Sequence, residues 1–203
     1  MINQGGEILP IYSKTMKIET IEIAGFAGAL TALRLPFGKE VRSRIETDNY
    51  WNDGMDRPTA IWHNETDIEL DPYDEILMQT LVKRGDEHAK VVRGINVWAK
   101  ITAPVYWWAE EETYRAGHER LASESTMHID CKGLSGKELQ EAKAAIPMGK
   151  ELTKVDMFSY QTLRRIVAQR HNHRLPEWHT FVDWVRALPF AEELILVGLE
   201  MEE

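Results

Sequence analysis

The stretch INVWAKITAPVYWW, residues 95–108, decides how the fold is read. Ile95, Val97, Ala99 and Ile101 alternate with Asn96, Trp98 and Lys100. A two-residue period of this kind predicts a strand with one face on a core. Pro104 then opens a helix, since its fixed φ suits a first turn and its missing N–H costs nothing there. That helix is expected to run to about Arg115, carrying Trp107, Trp108 and the acidic run Glu110–Glu112.

Outward from this unit, strands and helices alternate irregularly. IETIEIAG, beginning at Ile18, predicts a short strand, and the next segment places Phe26, Leu30 and Leu33 at helical spacing until Pro36. Residues 38–66 turn polar and read as a long loop or a small strand excursion. Asp71 before Pro72 is a helix start, with Ile76, Leu77 and Leu81 expected along one face up to Gly85. Ser135 and Glu138 have capping-box spacing before a short helix that stops near Pro147. Residues 153–170 predict another helix, and Pro176 opens a last one with Trp178, Phe181, Val185 and Leu188 on one stripe. The expectation is a single α/β (α+β) domain over residues 1–203, with a mixed or antiparallel sheet flanked by helices.

Composition excludes several classes. At 203 residues, with 43 % hydrophobic and 28 % charged side chains, the chain suits one packed domain rather than a disordered or fibrous one. No apolar run approaches a membrane span, and MINQGGEILP lacks the pattern of a secretory leader, so a cytoplasmic protein with no membrane partner is expected. The net charge of −9 argues against nucleic-acid binding across a basic face. One cysteine, Cys131, leaves no internal disulfide and no thiolate-rich metal site. Neither a GxGxxG nor a P-loop glycine pattern occurs, which speaks against the usual dinucleotide fold and P-loop hydrolysis.

Against this acidic background two segments stand out. RRIVAQRHNHR, residues 164–174, holds four arginines and two histidines without an acid. Arg164, Arg165, Arg170 and Arg174 offer planar forks for phosphate oxygens, or they pair with Glu110–Glu112. TYRAGHERLASESTMH, residues 113–128, joins Arg115, His118 and Arg120 to Ser123, Ser125 and Thr126, which suits a phosphate or ribose cradle or, in the serine run, a turn or helix cap. His171 and His173 are two apart and point away from each other on a helix, and no HExxH pairing occurs, so no metal site is expected. Trp107, Trp108, Trp178 and Trp184 read as core or subunit contacts, with a stacking platform as the lesser alternative.

In order, ALTALRLPFGK (29–39), LMQTLVKRGDEH (77–88), WAKITAPVYWW (98–108), TYRAGHERLAS (113–123) and LRRIVAQRHNHRLPEWH (163–179) resemble the flavin-dependent thymidylate synthases. The Ala103-Pro104 pair is similar to the family's strand end and sets the register. From it, Arg115 matches the last arginine of the family's RHRxxSxNExSxRY signature and Ser123 a later serine. Thr113 and Tyr114 replace its first Arg-His, Arg120 and Leu121 its Asn-Glu, and Ser125 and Thr126 its Arg-Tyr.

The resemblance implies a pyrimidine nucleotide held by Arg115, Ser123, Ser125, Arg170 and Arg174, and FAD contacted by Arg115, His118 and Arg120. It further implies folate and NADPH as co-reactants if the chain is a transferase, substrate activation by positioning with Cys131 incidental, and a homotetramer with sites between subunits. A phage origin is expected from such a diverged relative. The alternative is a phage protein that binds or sequesters a nucleotide without catalysis.

Overall fold

The computed structural model describes residues 16–49 and 63–200. Its centre is the strand read first from the sequence: β4 (Asn96–Pro104) buries Val97, Ala99, Ile101 and Ala103 completely and keeps Lys100 exposed. β1 (Lys17–Ala24) pairs along one edge of β4, and β6 (Glu151–Ser159) along the other. β5 (His118–Ser123) closes the far side, giving a four-stranded antiparallel sheet in the order β1-β4-β6-β5.

The helices supply the apolar cover for this sheet. α1 (Phe26–Arg34) follows β1 through Gly25, whose φ of 105° and close approach to the Gly94 carbonyl leave no room for a side chain. It buries Phe26, Leu30 and Leu33, at the expected spacing. α2 (Pro72–Lys83) starts as predicted, with the Asp71 carboxylate accepting from the Tyr73 N–H. Its buried face, however, carries Asp74, Met78 and Val82, while Ile76 is 62 % exposed; the helix is rotated about one position from the expected stripe.

α3 (Val105–Glu111) follows β4 with Pro104 as its N-cap, ending at Glu111 rather than near Arg115. α4 (Thr126–Ile129) and α5 (Gly136–Ala144) are short, and Ser135 caps α5 by position without a side-chain hydrogen bond. α6 (Tyr160–Arg170) and α7 (Pro176–Arg186) complete the core, where Trp107 packs on Trp108, Trp178 and Phe181, and Phe158 on Phe181. Trp107, Trp108 and Trp178 are thus core residues, and half-buried Trp184 donates from its indole N–H to Thr20.

Two stretches correct the sequence expectations. Residues 153–170 are not one helix: β6 runs to Ser159, whose hydroxyl accepts from the Thr162 N–H and starts α6. β5 was not anticipated at all. The cause is shared, because the inward positions are Lys154, Asp156 and Phe158 on β6 and His118 and Arg120 on β5. Charged residues facing inward erase the apolar alternation that marks a strand.

Within the 38–66 stretch, β2 (Arg44–Asn49) and the start of β3 (His63–Glu69) form a two-stranded antiparallel ribbon; residues 50–62 lie outside the described residues. Its base is tied down by Asp74, which is fully buried and accepts from Arg34 Nε, the Ser43 hydroxyl and the Arg42 and Ser43 N–H groups. Burial opposes a charge on Asp74. The hydrogen bonds from Ser43 and Arg34 outweigh it and hold the carboxyl below its ordinary range.

Candidate functional site

β5 and β6 bring ionic side chains together beside the end of α3. His118 and Arg120 point to the same side as Asp156 because Arg120 is paired in register with Asp156 and His118 with Phe158. Glu111 reaches this place from the last turn of α3. Arg120 donates to Glu111 Oε2 at 2.8 Å, to Asp156 Oδ1 at 3.2 Å and to Glu112 Oε1 at 2.5 Å, and Lys154 reaches the same Glu112 oxygen at 3.0 Å. Both cations also lie over Trp108, at 5.2 Å for Arg120 and 4.3 Å for Lys154.

His118 is clamped from two directions. Its ring stacks on Phe158 with centroids 4.6 Å apart, and its Nδ1 meets the Tyr114 carbonyl at 2.9 Å. A carbonyl only accepts, so Nδ1 carries a hydrogen and Nε2 faces Glu111 Oε1 at 3.2 Å and Asp156 Oδ2 at 3.3 Å. Burial is the main force pushing Glu111 up to about 7, helped by Asp156 and opposed by His118 and Arg120. Burial works against a charged His118, but Asp156 and Glu111 outweigh it and raise its pKa.

A second cluster forms where α6 ends. Glu110 Oε2 accepts from Arg170 at 2.7 Å and from the Trp178 indole at 3.0 Å, with His173 Nε2 at 3.4 Å. Arg170 lies 4.7 Å over Trp178 and donates to the Tyr114 hydroxyl, which in turn donates to Gln169. Tyr114 thus joins the two arginine-bearing segments, since its hydroxyl meets Arg170 and its carbonyl meets His118.

The candidate residues divide accordingly. His118 and Arg120 lie in the buried cluster, and Arg170 is paired with Glu110. Arg164 donates to the Ile195 and Val197 carbonyls, and Arg165 pairs with Asp86. Arg115 and Arg174 are exposed. Ser123 is exposed and its hydroxyl donates to the Glu124 carbonyl, while half-buried Ser125 is the N-cap of α4 without a side-chain capping bond. Sequence reasoning missed Glu111, Lys154 and Asp156. The only available signal was the acidic run after Trp108, because Asp156 sat inside a segment read as a helix.

A separate apolar cavity of about 430 Å³ lies along α1. Gly25, Gly28, Ala29, Ala32 and Gly94 keep its wall low, and exposed His88 and Lys90 add polar groups. Its size falls at the lower end of small-molecule pockets. Leu33, Phe37, Leu81 and His88 also line it, so two of the segments that carried the family resemblance meet here.

The architecture is an α+β domain on a four-stranded antiparallel sheet, and its fold is that of the flavin-dependent thymidylate synthases. The chain is similar to flavin-dependent thymidylate synthase ThyX from Helicobacter pylori complexed with FAD and dUMP, with a TM-score of 0.60 and 11 % identity over 90 % of this chain and 98 % of the other. A second structure of that enzyme with FAD and dUMP gives 0.61 and 12 %, over 91 % and 99 %. The UMP/dUMP methylase PolB from Streptomyces cacaoi, bound with 5-Br dUMP, gives 0.58 and 10 %, over 93 % and 98 %. The sequence itself matches no protein-family model and no curated protein.

Proposed function

We propose that this chain binds a pyrimidine nucleotide of the deoxyuridylate type. The observation that carries the reading is the likeness over 90 % of the chain to enzymes whose structures hold dUMP or 5-Br dUMP. The exposed forks of Arg115 and Arg174, with Ser123 and Ser125, are the groups proposed to meet the nucleotide and its phosphate. Arg170, held between Glu110, Tyr114 and Trp178, is proposed to join them from a preset orientation.

The cavity along α1 has the size and apolar lining for a flat ring, so it fits the ring portion of a flavin. When bound, reduced flavin would supply hydride, with folate supplying the one-carbon unit and NADPH the reducing equivalents. In that reading this chain's residues position the pyrimidine and neutralise phosphate, and a homotetramer completes the site. On that reading the chain would be a flavin-dependent methylating transferase of cytoplasmic nucleotide metabolism.

A second reading, nucleotide binding without catalysis, is favoured by one observation. His118 and Arg120, offered by the resemblance for FAD, are engaged by Glu111, Glu112 and Asp156. Calorimetric titration with dUMP, dTMP, UMP and FAD tests both. Saturable dUMP binding that weakens about tenfold in Arg174→Ala supports the nucleotide site. FAD binding together with methylation of dUMP selects the enzyme, dUMP binding without FAD binding selects the second reading, and no heat with any nucleotide overturns both.

A further inference from the structure

We infer that Glu111, His118 and Asp156 form a binding site for one divalent cation of the zinc class, buried where α3, β5 and β6 meet. Glu111 Oε1, His118 Nε2 and Asp156 Oδ2 lie within 4.8 Å of one another. The Glu111 and Asp156 side chains are fully buried and that of His118 is 7 % exposed. Glu111 Oε1 and His118 Nε2 are both buried and have no hydrogen-bond partner. Two such atoms facing each other are costly unless something positive lies between them.

The charges around the cluster leave room for a cation. With Glu111 ionised, Glu111, Glu112 and Asp156 carry three negative charges against two positive ones on Arg120 and Lys154, one positive charge short. A proton on His118 closes that count, whereas a divalent ion in its place leaves one positive charge over, so it is the convergence of the three ligand atoms that speaks for the ion. Nε2 stands 3.2 Å and 3.3 Å from its carboxylate oxygens, longer than the roughly 2.7–2.9 Å of a charge-assisted hydrogen bond. A tetrahedral ion with bonds of about 2.0–2.1 Å sets neighbouring ligand atoms about 3.3 Å apart.

The surroundings are those of a metal site. The Nδ1–H bond to the Tyr114 carbonyl turns the Nε2 lone pair inward, and stacking on Phe158 holds the ring plane. Arg120 binds the outer oxygens, Glu111 Oε2 and Asp156 Oδ1, which leaves Glu111 Oε1 and Asp156 Oδ2 facing inward; its Nη2 also lies 3.4 Å from Asp156 Oδ2. One imidazole and two carboxylates suit Zn²⁺, Mn²⁺ or Co²⁺. The ion displaces the imidazole proton and ties the 114–118 turn to the sheet. This site is independent of the nucleotide reading.

The test uses the full chain, stripped with chelator and titrated with Zn²⁺, Mn²⁺ and Co²⁺. The expected result is one equivalent bound, ligand-field absorption of Co²⁺ with N and O donors, and a higher Tm with Zn²⁺. Affinity falls on the order of 100-fold in His118→Gln and Asp156→Asn, and about tenfold or more in Arg120→Ala, which leaves the three ligands in place. Because these variants remove buried partners, the Co²⁺ spectrum of the unaltered chain decides the matter if they fail to fold. A folded, stripped chain that takes up none of the three ions overturns the site. So does binding that persists in His118→Gln but is lost in His173→Ala.

Discussion

Residues 113–128 and 164–174 look alike in the sequence, each a local concentration of arginine and histidine in an acidic chain, and the structure uses them in opposite ways. In the first, a strand sends His118 and Arg120 inward to the same buried carboxylates and leaves Arg115 outside. In the second, a helix spreads its cations around its axis, so Arg164 meets backbone carbonyls, Arg165 meets Asp86, Arg170 meets Glu110, and Arg174 beyond the helix stays in solvent. A two-residue period concentrates charge on one face; a 3.6-residue period disperses it. Whether an arginine remains available for a ligand depends on which period it lies on.

The reference for a charge fully absorbed by the fold is Asp74, outside both segments, and the largest effect is expected there. Asp74→Ala leaves Arg34 buried and unpaired and is expected to cost about 3–5 kcal/mol in urea unfolding. The carboxyl is held below its ordinary range when folded, so its contribution is complete above the unfolded value of about 3.9. It is lost as pH falls through the folded value. The stability gap between the unaltered chain and Asp74→Asn should therefore close on acidification; a gap that stays constant down to acid unfolding refutes the assignment.

Next comes the inward arginine of the first segment. Arg120→Ala, measured in chelator, is expected to cost about 2–4 kcal/mol, discounted for its 26 % exposure. A cost equal to that of Arg165→Ala would erase the distinction between the two segments. The turn that delivers β5 is tested at Gly117, where φ is 75° and a Cβ would lie 2.5 Å from the Ser159 hydroxyl and 2.6 Å from that of Thr162. Gly117→Ala should lower stability by about 1–3 kcal/mol, read as a shift in Tm.

Smaller effects are expected in the second segment. Arg170→Ala removes a half-buried pair and should cost about 1–2 kcal/mol while weakening dUMP binding. Arg174→Ala and Arg165→Ala should each change stability by less than about 0.5 kcal/mol. They part company in calorimetry, because the proposed nucleotide site uses Arg174 and not Arg165. Equal loss of dUMP affinity in both would replace a specific site by a diffuse basic surface.

How much was legible follows the same physical line. β1, α1, β4, the start of α2 and α7 were readable because each carries apolar residues at its own period and a recognisable boundary, such as Asp71-Pro72 or Pro176. β5 and β6 were not, because His118, Arg120, Lys154 and Asp156 occupy positions where the pattern requires apolar side chains. The α2 stripe was misplaced by one position because Asp74, a polar residue, holds a core site through four hydrogen bonds. The anticipated pairing of an α6 arginine with Glu110–Glu112 is realised by Arg170 and Glu110.

By itself the sequence determined an α+β chain built on the strand at 95–101, the helices whose stripes are apolar, and the two places where cations gather. The tertiary structure alone decided that Glu111, His118 and Asp156, up to 45 residues apart in the sequence, share one buried cluster. Local periodicity reports which face of an element is apolar. It carries no information on which charged residue from another element will meet an inward charge, since that pairing exists only once antiparallel register is set.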